Sequence, residues 1–339
     1  MRSFASDNYA PAHPEVLAAL SAINQGHQRA YGADEVTAQL EQRFMELFGP
    51  NTKTFLVWNG TGANVLALYS LLKPWEAVIC TKWSHINVDE GGAPERIIGA
   101  KLIDLPAVDA KLSAAQIAEA FIRTGDEHYA QPRIVSITQS TEYGTLYSVD
   151  EIAAIADVTH KNNAYLHLDG ARISNAAVAL NKSFKEFTTD VGVDVVSFGG
   201  TKNGLINGEA VLYLNPLLGE KVKHLRKSLM QLNSKMRYTS VQLLTLLSND
   251  LWKRSASHAN QMAQLLANQV SKLPGIKITR PVQVNAVFAT VPQSVSDNVP
   301  NEFPFYVWNE HTNEVRWMCA WDTTEQDVTD FVAAIKRAL

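Results

Sequence analysis

The chain has 339 residues, of which 46% are hydrophobic and 19% are charged. This composition is typical of a folded globular protein and excludes a disordered, collagen-like or coiled-coil chain. The length favours two domains, with one large α/β domain as the competing arrangement. Because 30 Lys and Arg stand against 34 Asp and Glu, for a net charge of -4, we expect neither nucleic acid nor an anionic membrane as a partner.

The cysteines and the first residues bear on the compartment. Cys80 and Cys319 both lie in apolar, strand-like stretches, where a buried free thiol is favoured over a disulfide. Residues 1–7 turn polar without the apolar segment of a secretion signal, and no window approaches the ~18 apolar residues of a membrane span. We therefore expect a soluble protein in the reducing cytoplasm.

Short β-rich runs alternate with helix-length amphipathic segments in the first part of the chain. This alternation predicts βαβ units and a mostly parallel sheet. The segment after Ser148 predicts a helix with one apolar face that returns the chain to the next strand as a crossover. The seven predicted strands, which we expect to form one large sheet, are 54–58, 77–80, 101–105, 133–138, 165–168, 193–198 and 210–214.

The pattern changes after Pro216, where helical segments rich in Leu and Lys continue until Pro274-Gly275. A capping box at Thr323 and Gln326 predicts the start of a last amphipathic helix. Three strands are predicted before it, at 284–291, 303–308 and 314–320. The chain is therefore expected to have three parts: an N-terminal arm (1–15), a large domain that contains the seven-stranded sheet (16–245) and a small α+β C-terminal domain (246–339).

Lys202 follows a hydrophobic strand and lies among small residues, in Gly199-Gly200-Thr201-Lys202-Asn203-Gly204. A lysine with apolar and small neighbours has a lowered pKa and can form a Schiff base with a carbonyl cofactor. This segment alone leaves open the alternative of a surface lysine in a glycine turn.

Asp169 lies at the carboxyl end of a predicted buried strand, where open parallel sheets bind their ligands. A carboxylate there can pair with a protonated pyridine nitrogen and keep the ring an electron sink, as pyridoxal phosphate chemistry requires. On its own, Asp169 is also explained as a cap of the segment that begins at Gly170.

The segment Trp58–Asn64 follows a strand and precedes a helix predicted over 65–72. Free backbone N–H groups and the Thr61 hydroxyl would face a common point there, which suits a phosphate group. The glycine spacing matches neither the dinucleotide fingerprint nor the Walker pattern, and a simple tight turn is the alternative. A phosphate cradle, a pyridine-binding acid and a Schiff-base lysine in this order are much harder to attribute to chance than any one of them.

These motifs make the chain resemble the L-threonine aldolase family of pyridoxal-phosphate enzymes, over nearly its whole length. It is most similar to the bacterial low-specificity threonine aldolase and phenylserine aldolase branch, which carries Asp-Glu-x-Gly-Ala-Pro-Glu, here Asp89 to Glu95. The resemblance implies the α/β aspartate-aminotransferase-like fold (fold type I), with a large seven-stranded sheet domain and a small C-terminal domain. The other matching segments are Ala5–Asn8, Tyr31–Asp34, Ser84-His85, Lys235–Arg237 and Glu314–Arg316.

The resemblance implies that pyridoxal 5'-phosphate binds covalently to Lys202. Asp169 would contact the pyridine nitrogen, and His85 would stack on the cofactor ring. Gly60 and Thr61 would hold the phosphate.

Further residues complete the implied site. Ser6 and Arg316 would bind the substrate carboxylate, and Arg172 would lie between that carboxylate and the cofactor hydroxyl. Lys235 and Arg237 would belong to a cofactor site shared between subunits, so that a homodimer or homotetramer is expected. No metal is expected in the site.

The implied reaction cleaves an L-3-hydroxy-2-amino acid such as threonine, allo-threonine or phenylserine reversibly to glycine and an aldehyde. Many family members carry Glu-Asn-Thr-His after the fourth strand, with the histidine near the substrate hydroxyl. This chain has Thr138-Gln139-Ser140-Thr141 instead, so that the catalytic base is unassigned. The candidates are His85, Asp89, His128, a phosphate-bound water and, less favoured, Glu142.

Asp89 follows His85 by four residues. If this segment is helical, the two side chains share one face and can read the substrate β-hydroxyl together. The alternative is that Asp89 only stabilises the start of a helix.

Other functions compete with the aldolase interpretation. A β-eliminating lyase or an amino-acid racemase could use the same scaffold. A non-catalytic phosphate- or nucleotide-binding protein could use the Gly60-Thr61 turn, but this would not explain Lys202, Asp169 and Arg316 together.

Overall fold

The computed structural model describes residues 2–339 and contains a large sheet of seven strands. Its order is β1-β7-β6-β5-β4-β2-β3, for strands at Lys53–Val57 (β1), Glu76–Thr81 (β2), Lys101–Leu105 (β3), Gln131–Thr138 (β4), Tyr165–Gly170 (β5), Val195–Gly199 (β6) and Glu209–Tyr213 (β7). Neighbouring strands pair in parallel except at β7, which is antiparallel to both β1 and β6. The predicted large, mostly parallel sheet is thus confirmed.

Helices cover both faces of this sheet and continue into the C-terminal part. In residues 2–339 none of them is both long and apolar enough to cross a membrane. They are α1 (Pro14–Ile23), α2 (Glu35–Phe48), α3 (Gly60–Leu71), α4 (His85–Val88), α5 (Ala114–Ala120), α6 (Val149–Lys161), α7 (Ile173–Leu180), α8 (Val222–Ser228), α9 (Arg237–Leu246), α10 (Leu251–Val270), α11 (Gln293–Asn298) and α12 (Glu325–Ala338).

The central strands are buried on both faces, because successive side chains of a strand point to opposite sides of the sheet. Val196 of β6 packs in a core with α2, α6, α7 and α9, whereas its neighbour Val195 packs with α3 and α8 on the other face. All residues of β2, β6 and β7 are buried. This two-sided burial explains the near-continuous apolar runs of the sequence.

The C-terminal part contains a four-stranded antiparallel sheet. Its order is β10-β11-β9-β8, for strands at Lys277–Ile278 (β8), Ala286–Thr290 (β9), Tyr306–Asn309 (β10) and Glu314–Met318 (β11). Three of these strands agree with the predicted ones. The two-residue strand β8 is missed by the sequence pattern, because it is too short to show an alternation.

The N-terminal arm packs on the small sheet. Phe4 stacks on Phe331 of α12 with ring centroids 4.2 Å apart, and its carbonyl accepts a hydrogen bond from the N–H of Met318. Helix α10 contributes to both cores, with Trp252 in the core of the large sheet and Leu266 in that of the small sheet. The exact domain boundaries at residues 15 and 245 stay a prediction.

Two helix starts differ from the predicted ones. Helix α3 begins at Gly60 rather than at residue 65, because the side chain of Asn59 caps it by accepting the N–H of Gly62 at 2.7 Å. The last helix has its capping box at Thr324 and Asp327, one residue after the predicted pair. The reason is that the hydroxyl of Thr323 accepts the N–H of Ala320 within the preceding turn.

Candidate active site

Lys202, Asp169 and Glu142 lie at the carboxyl ends of β6, β5 and β4. These strands lie side by side in parallel register, with Thr138 opposite Asp169 and Asp169 opposite Ser197. Carboxyl ends of parallel strands share one edge of the sheet, which is the usual ligand-binding edge of such folds. The loops that follow the three strands therefore surround one site.

Lys202 lies in a short 3-10 turn, Thr201–Asn203, directly after β6. Glu209 of β7 holds this turn, because its Oε2 accepts the N–H of Gly200 at 2.8 Å. Burial lowers the pKa of Lys202, and the charge of Arg172 lowers it further. A lysine with a lowered pKa has more of the neutral amine that attacks a carbonyl carbon.

Gly199 allows the end of β6 to approach the end of β5. A Cβ atom at this position would lie 2.5 Å from the carbonyl oxygen of Ala171, a distance that no relaxed contact permits. The glycine therefore brings the Lys202 turn against the segment that carries Asp169 and Arg172.

Asp169 is a buried carboxylate with two donors. Its Oδ2 accepts from Nδ2 of Asn64 at 2.8 Å, and its Oδ1 accepts the N–H of Ala171 at 2.9 Å. Burial alone would raise the pKa of Asp169, but the charge of His85 and the hydrogen bond from Asn64 outweigh it and the pKa is lowered. Asp169 therefore carries the negative charge that pairing with a protonated pyridine nitrogen requires, and one oxygen also makes the local turn contact expected of a cap.

His85 begins the four-residue helix α4. Its Nδ1 lies 2.8 Å from Oε1 of Glu90. Burial alone would lower the pKa of His85, but the hydrogen bond to Glu90 and the charge of Asp169 outweigh it and the pKa is raised. Asp89 is the C-terminal cap of α4, with its N–H bonded to the carbonyl of His85, and the acid on the imidazole is Glu90. The joint recognition of the β-hydroxyl by His85 and Asp89 stays a prediction.

Glu142 is the residue that the segment without the usual histidine brings to the site. Its Oε1 accepts from the Thr138 hydroxyl at 2.8 Å and from the N–H of His85 at 3.0 Å. Burial raises the pKa of Glu142 to about 7. Thr141 is instead bonded to the hydroxyl of Thr145 at 2.6 Å, so that it takes no part in this group.

Arg172 forms a bidentate ion pair with a residue of the N-terminal arm. Its Nε and Nη2 donate to the two carboxylate oxygens of Asp7 at 2.7 and 2.8 Å. Asp7 is only 2% exposed and also accepts from Asn285 at 3.0 Å. Two of the guanidinium nitrogens of Arg172, Nε and Nη2, are thus occupied by Asp7, and Nη1 is left for a ligand.

Arg316 lines a cavity of about 510 Å³, which is bounded by Trp83, Val88, Asp89, Tyr306, Val307, Trp308 and Arg316. Its guanidinium lies 4.7 Å from the centre of the Trp308 ring, and Nη2 donates to the carbonyl of Ala5. Burial, and then the charge of Arg172, lower the pKa of Arg316 to about 10. Its Nε is buried and has no partner among residues 2–339, so the side chain retains a donor for an anion.

Gly60 and Thr61 form the first turn of α3. The first N–H groups of a helix have no acceptor within the helix; Asn59 satisfies that of Gly62, which leaves those of Gly60 and Thr61 for an anion. A Cβ atom on Gly62 would lie 2.5 Å from the amide of Gln231, and this amide also accepts the N–H of Trp58. Gln231 therefore closes one side of the turn.

The side chains of three predicted residues form no hydrogen bond with this group in residues 2–339. The hydroxyl of Ser6 accepts the N–H of Asn8 at 3.2 Å and lines a separate cavity of about 560 Å³. Lys235 and Arg237 line another cavity, of about 260 Å³, where Arg237 donates to the carbonyls of Gln25 and Gly26. Their roles in carboxylate binding and in a site shared between subunits stay predictions.

His128 lies at the wrong end of the sheet for a base in its own chain. It is exposed and precedes β4, where its N–H donates to Asp126 at 2.9 Å. Because β4 has eight residues, its two ends lie roughly 25 Å apart. The chain therefore does not bring its own His128 to Lys202, and the role of His128 as a base stays a prediction.

Five residues of the site carried no predicted role of their own: Asp7, Asn64, Glu90, Glu209 and Gln231. A signal existed for three of them. Asp7 and Glu90 fall inside segments that carry the family resemblance, and both are buried acids. Asn64 is a polar residue within an apolar helical run, which marks a buried hydrogen bond. Glu209 and Gln231 gave no local signal, because their partners are distant in the sequence.

Comparisons with known proteins agree with this geometry. The chain matches the family described as beta-eliminating lyase over residues 3–294. It is 41% identical to a low specificity L-threonine aldolase of a Pseudomonas species, over 100% of this chain and 98% of that protein.

Solved structures give the same result. A threonine aldolase of Leishmania major superposes with a TM-score of 0.94 at 30% identity, covering 99% of each chain. Aspartate aminotransferase of Thermus thermophilus superposes with a TM-score of 0.72 at 14% identity, covering 99% of this chain and 90% of that one, which shows a shared fold. The chain therefore belongs to the beta-eliminating lyase family and, within it, to the low-specificity L-threonine aldolases.

Proposed function

We propose that the protein is a pyridoxal-phosphate-dependent aldolase that cleaves L-3-hydroxy-2-amino acids reversibly to glycine and an aldehyde. One observation carries the proposal: three groups lie together at one edge of the sheet. They are Lys202, whose pKa is lowered, the buried and ionised carboxylate of Asp169, and Arg172. Threonine, allo-threonine and phenylserine are the substrates to test.

The residues of the site fit pyridoxal 5'-phosphate. Lys202 would hold its carbonyl carbon, Asp169 its ring nitrogen, and the first turn of α3 at Gly60 and Thr61 its phosphate. His85 would pack on the ring. When bound, this cofactor supplies a conjugated ring that accepts the electrons of a bond broken at the substrate α carbon.

Arg316 is the proposed anchor of the substrate carboxylate. Its buried Nε without a partner in residues 2–339 would gain an acceptor, and the guanidinium lies against the rings of Trp308 and Tyr306. The free Nη1 of Arg172 would reach the same ligand. A carboxylate would then lie among positive charges that already lower the pKa of Arg316.

The reaction requires a base at the β-hydroxyl. In the proposed reaction this base takes the hydroxyl proton, the bond between the α and β carbons breaks, the aldehyde leaves, and the α carbon gains a proton to give glycine. His85 is the proposed acid–base group, because it is half-exposed and titrates beside Asp169. Asp89 faces the cavity of Arg316, where it would contact the β-substituent.

β-Elimination is the second candidate function, because the family description itself names it. Racemisation on the same scaffold is a third possibility of the same chemistry. All three need the lysine, the acid and the carboxylate anchor, and they differ in which bond at the α or β carbon breaks.

Two wider properties belong to the proposal. A homodimer or homotetramer is proposed because Lys235 and Arg237 line an open cavity without an anionic side chain among its lining residues, which suits a phosphate of a neighbouring site. A cytoplasmic location is proposed because both cysteines are buried and free. Fractionation of the producing cells tests the location.

We expect the purified protein to be yellow and borohydride reduction to fix the cofactor on Lys202. Lys202→Ala should abolish turnover, because no other amine replaces the attacking group. Peptide mapping of the reduced protein checks the attachment, with the exposed Lys161→Ala as the matched variant that keeps activity. A label on any other lysine would contradict the assignment.

We expect Arg316→Lys to lose about 1.5 to 3 kcal/mol of carboxylate binding, roughly 10- to 100-fold in kcat/KM, because a lysine cannot reproduce the planar fork. Steady-state kinetics with threonine measure the loss. Arg337→Lys, at an exposed arginine paired with Glu302, is the control. Equal kcat/KM in both variants would remove Arg316 from the site.

We expect an oligomer in solution, at least a dimer, because Lys235 and Arg237 would complete the neighbouring cofactor site. Sedimentation over a dilution series, with activity measured on the same samples, tests this. Activity per chain should fall where the oligomer dissociates. A monomer that stays fully active at high dilution would refute the shared site.

A further inference from the structure

Three buried side chains and the partly exposed His85 form a continuous hydrogen-bonded chain beneath the proposed cofactor site. Nδ1 of His85 lies 2.8 Å from Oε1 of Glu90, and the same oxygen accepts from Nδ2 of Asn64 at 2.8 Å. Nδ2 of Asn64 also donates to Oδ2 of Asp169 at 2.8 Å. The amide of Asn64 thus connects two carboxylates, one on the histidine and one at the proposed ring nitrogen.

The side chain of Glu90 is closed off from solvent. Its side chain is 0% exposed, both of its donors are on Oε1, and its Oε2 is buried without a partner among residues 2–339. A buried carboxylate is stable as an anion only when it is paired. The positive partner that Glu90 contacts is His85, with 2.8 Å between Oε1 and Nδ1.

The contact with Glu90 also decides which ring nitrogen of His85 carries a hydrogen. A carboxylate accepts, so Nδ1 must donate and keeps its hydrogen when the ring is neutral. Nε2 is then the nitrogen with a free lone pair. The side chain of His85 is 39% exposed whereas that of Glu90 is closed off, which leaves the other edge of the ring open to a ligand.

The charged groups that face His85 come from several elements. Glu90 follows α4 and contacts the ring, and Glu142 follows β4 and accepts the backbone N–H. Asp169 of β5 favours the protonated ring, and Lys202 after β6 opposes it. Glu90 is the one among them within hydrogen-bond distance of the imidazole.

We propose that Glu90 is a positioning residue that, tied to Asp169 through Asn64, fixes His85 as the Nδ1–H tautomer with Nε2 toward the substrate. In the aldolase reaction proposed above, the β-hydroxyl proton passes to Nε2, while Nδ1 keeps its own hydrogen and donates it in the hydrogen bond to Glu90. Only this last step rests on the proposed function. The tautomer and the charge of His85 can be measured without any turnover.

Histidine-specific ¹⁵N NMR of the holoenzyme tests the proposal, with the His85 signals assigned by His85→Gln. In the wild-type protein the neutral ring should carry its hydrogen on Nδ1. Glu90→Gln keeps an acceptor oxygen and removes the charge, so the tautomer should persist while the titration midpoint of His85 moves to lower pH. Glu90→Ala removes both and should give a mixture of tautomers.

Glu76→Gln is the matched control, because Glu76 is also buried but lies at the opposite end of β2, where it accepts the N–H of Lys73. It should leave the His85 signals unchanged. A neutral wild-type ring protonated on Nε2, or an equal midpoint in the wild type and in Glu90→Gln, would overturn the proposal. If Glu90→Ala does not fold, the Glu90→Gln comparison still decides.

The pH profile of kcat/KM gives a second readout. Its acidic limb should move to lower pH in Glu90→Gln, because more acid is needed to protonate the weaker base, and kcat of Glu90→Ala should fall at least about 10-fold. An unmoved limb would contradict the role of Glu90 in catalysis. Normal NMR results in a protein without aldolase activity would refute the proposed function and leave the positioning by Glu90 standing.

Discussion

The bidentate pair of Arg172 and Asp7 is the interaction on which the arrangement of the site depends. It joins the end of β5 to the N-terminal arm, and Asn285 before β9 binds the same carboxylate. Three distant parts of the chain therefore converge on one buried ion pair. Because an unpaired buried charge is unstable, the arm and the small sheet must dock together for Arg172 to stay at the edge of the large sheet.

The pKa values of the acids at this edge of the sheet differ because the groups around each acid differ. Asp169 has a lowered pKa because Asn64 and His85 offset its burial, so it remains an anion. Glu142 and Glu209 are also buried, but burial prevails and raises their pKa values to about 7 and about 6. One site thereby contains a permanent anion, a lysine of lowered pKa and carboxyls that can hold a proton near neutrality.

Sequence patterns could predict what lies in one segment. The ends of buried strands, with Lys202 and Asp169 after them, follow from local polarity, and the structure places both at one edge. Pairings across the chain leave no local signal. Arg172 and Asp7 lie 165 residues apart, and the antiparallel direction of β7 is hidden because a strand buried on both faces shows no alternation.

The ends of single elements explain what local patterns missed. Helix α4 ends at Val88, and the acid on the His85 imidazole is Glu90, which lies beyond the helix, so that helical spacing does not reveal it. His128 has a suitable chemical type but lies before β4 rather than after it. Residue types thus predicted the kind of chemistry, whereas the exact ends of α4 and β4 determine which side chains lie near the site.

Product analysis tests the central claim most directly. The purified holoenzyme would be incubated in turn with L-threonine, L-allo-threonine and L-phenylserine, and amino acids, aldehydes, keto acids and ammonia would be measured. The account predicts glycine and the matching aldehyde in equal amounts, without ammonia. A keto acid with ammonia, or inversion of the amino acid without cleavage, would contradict it.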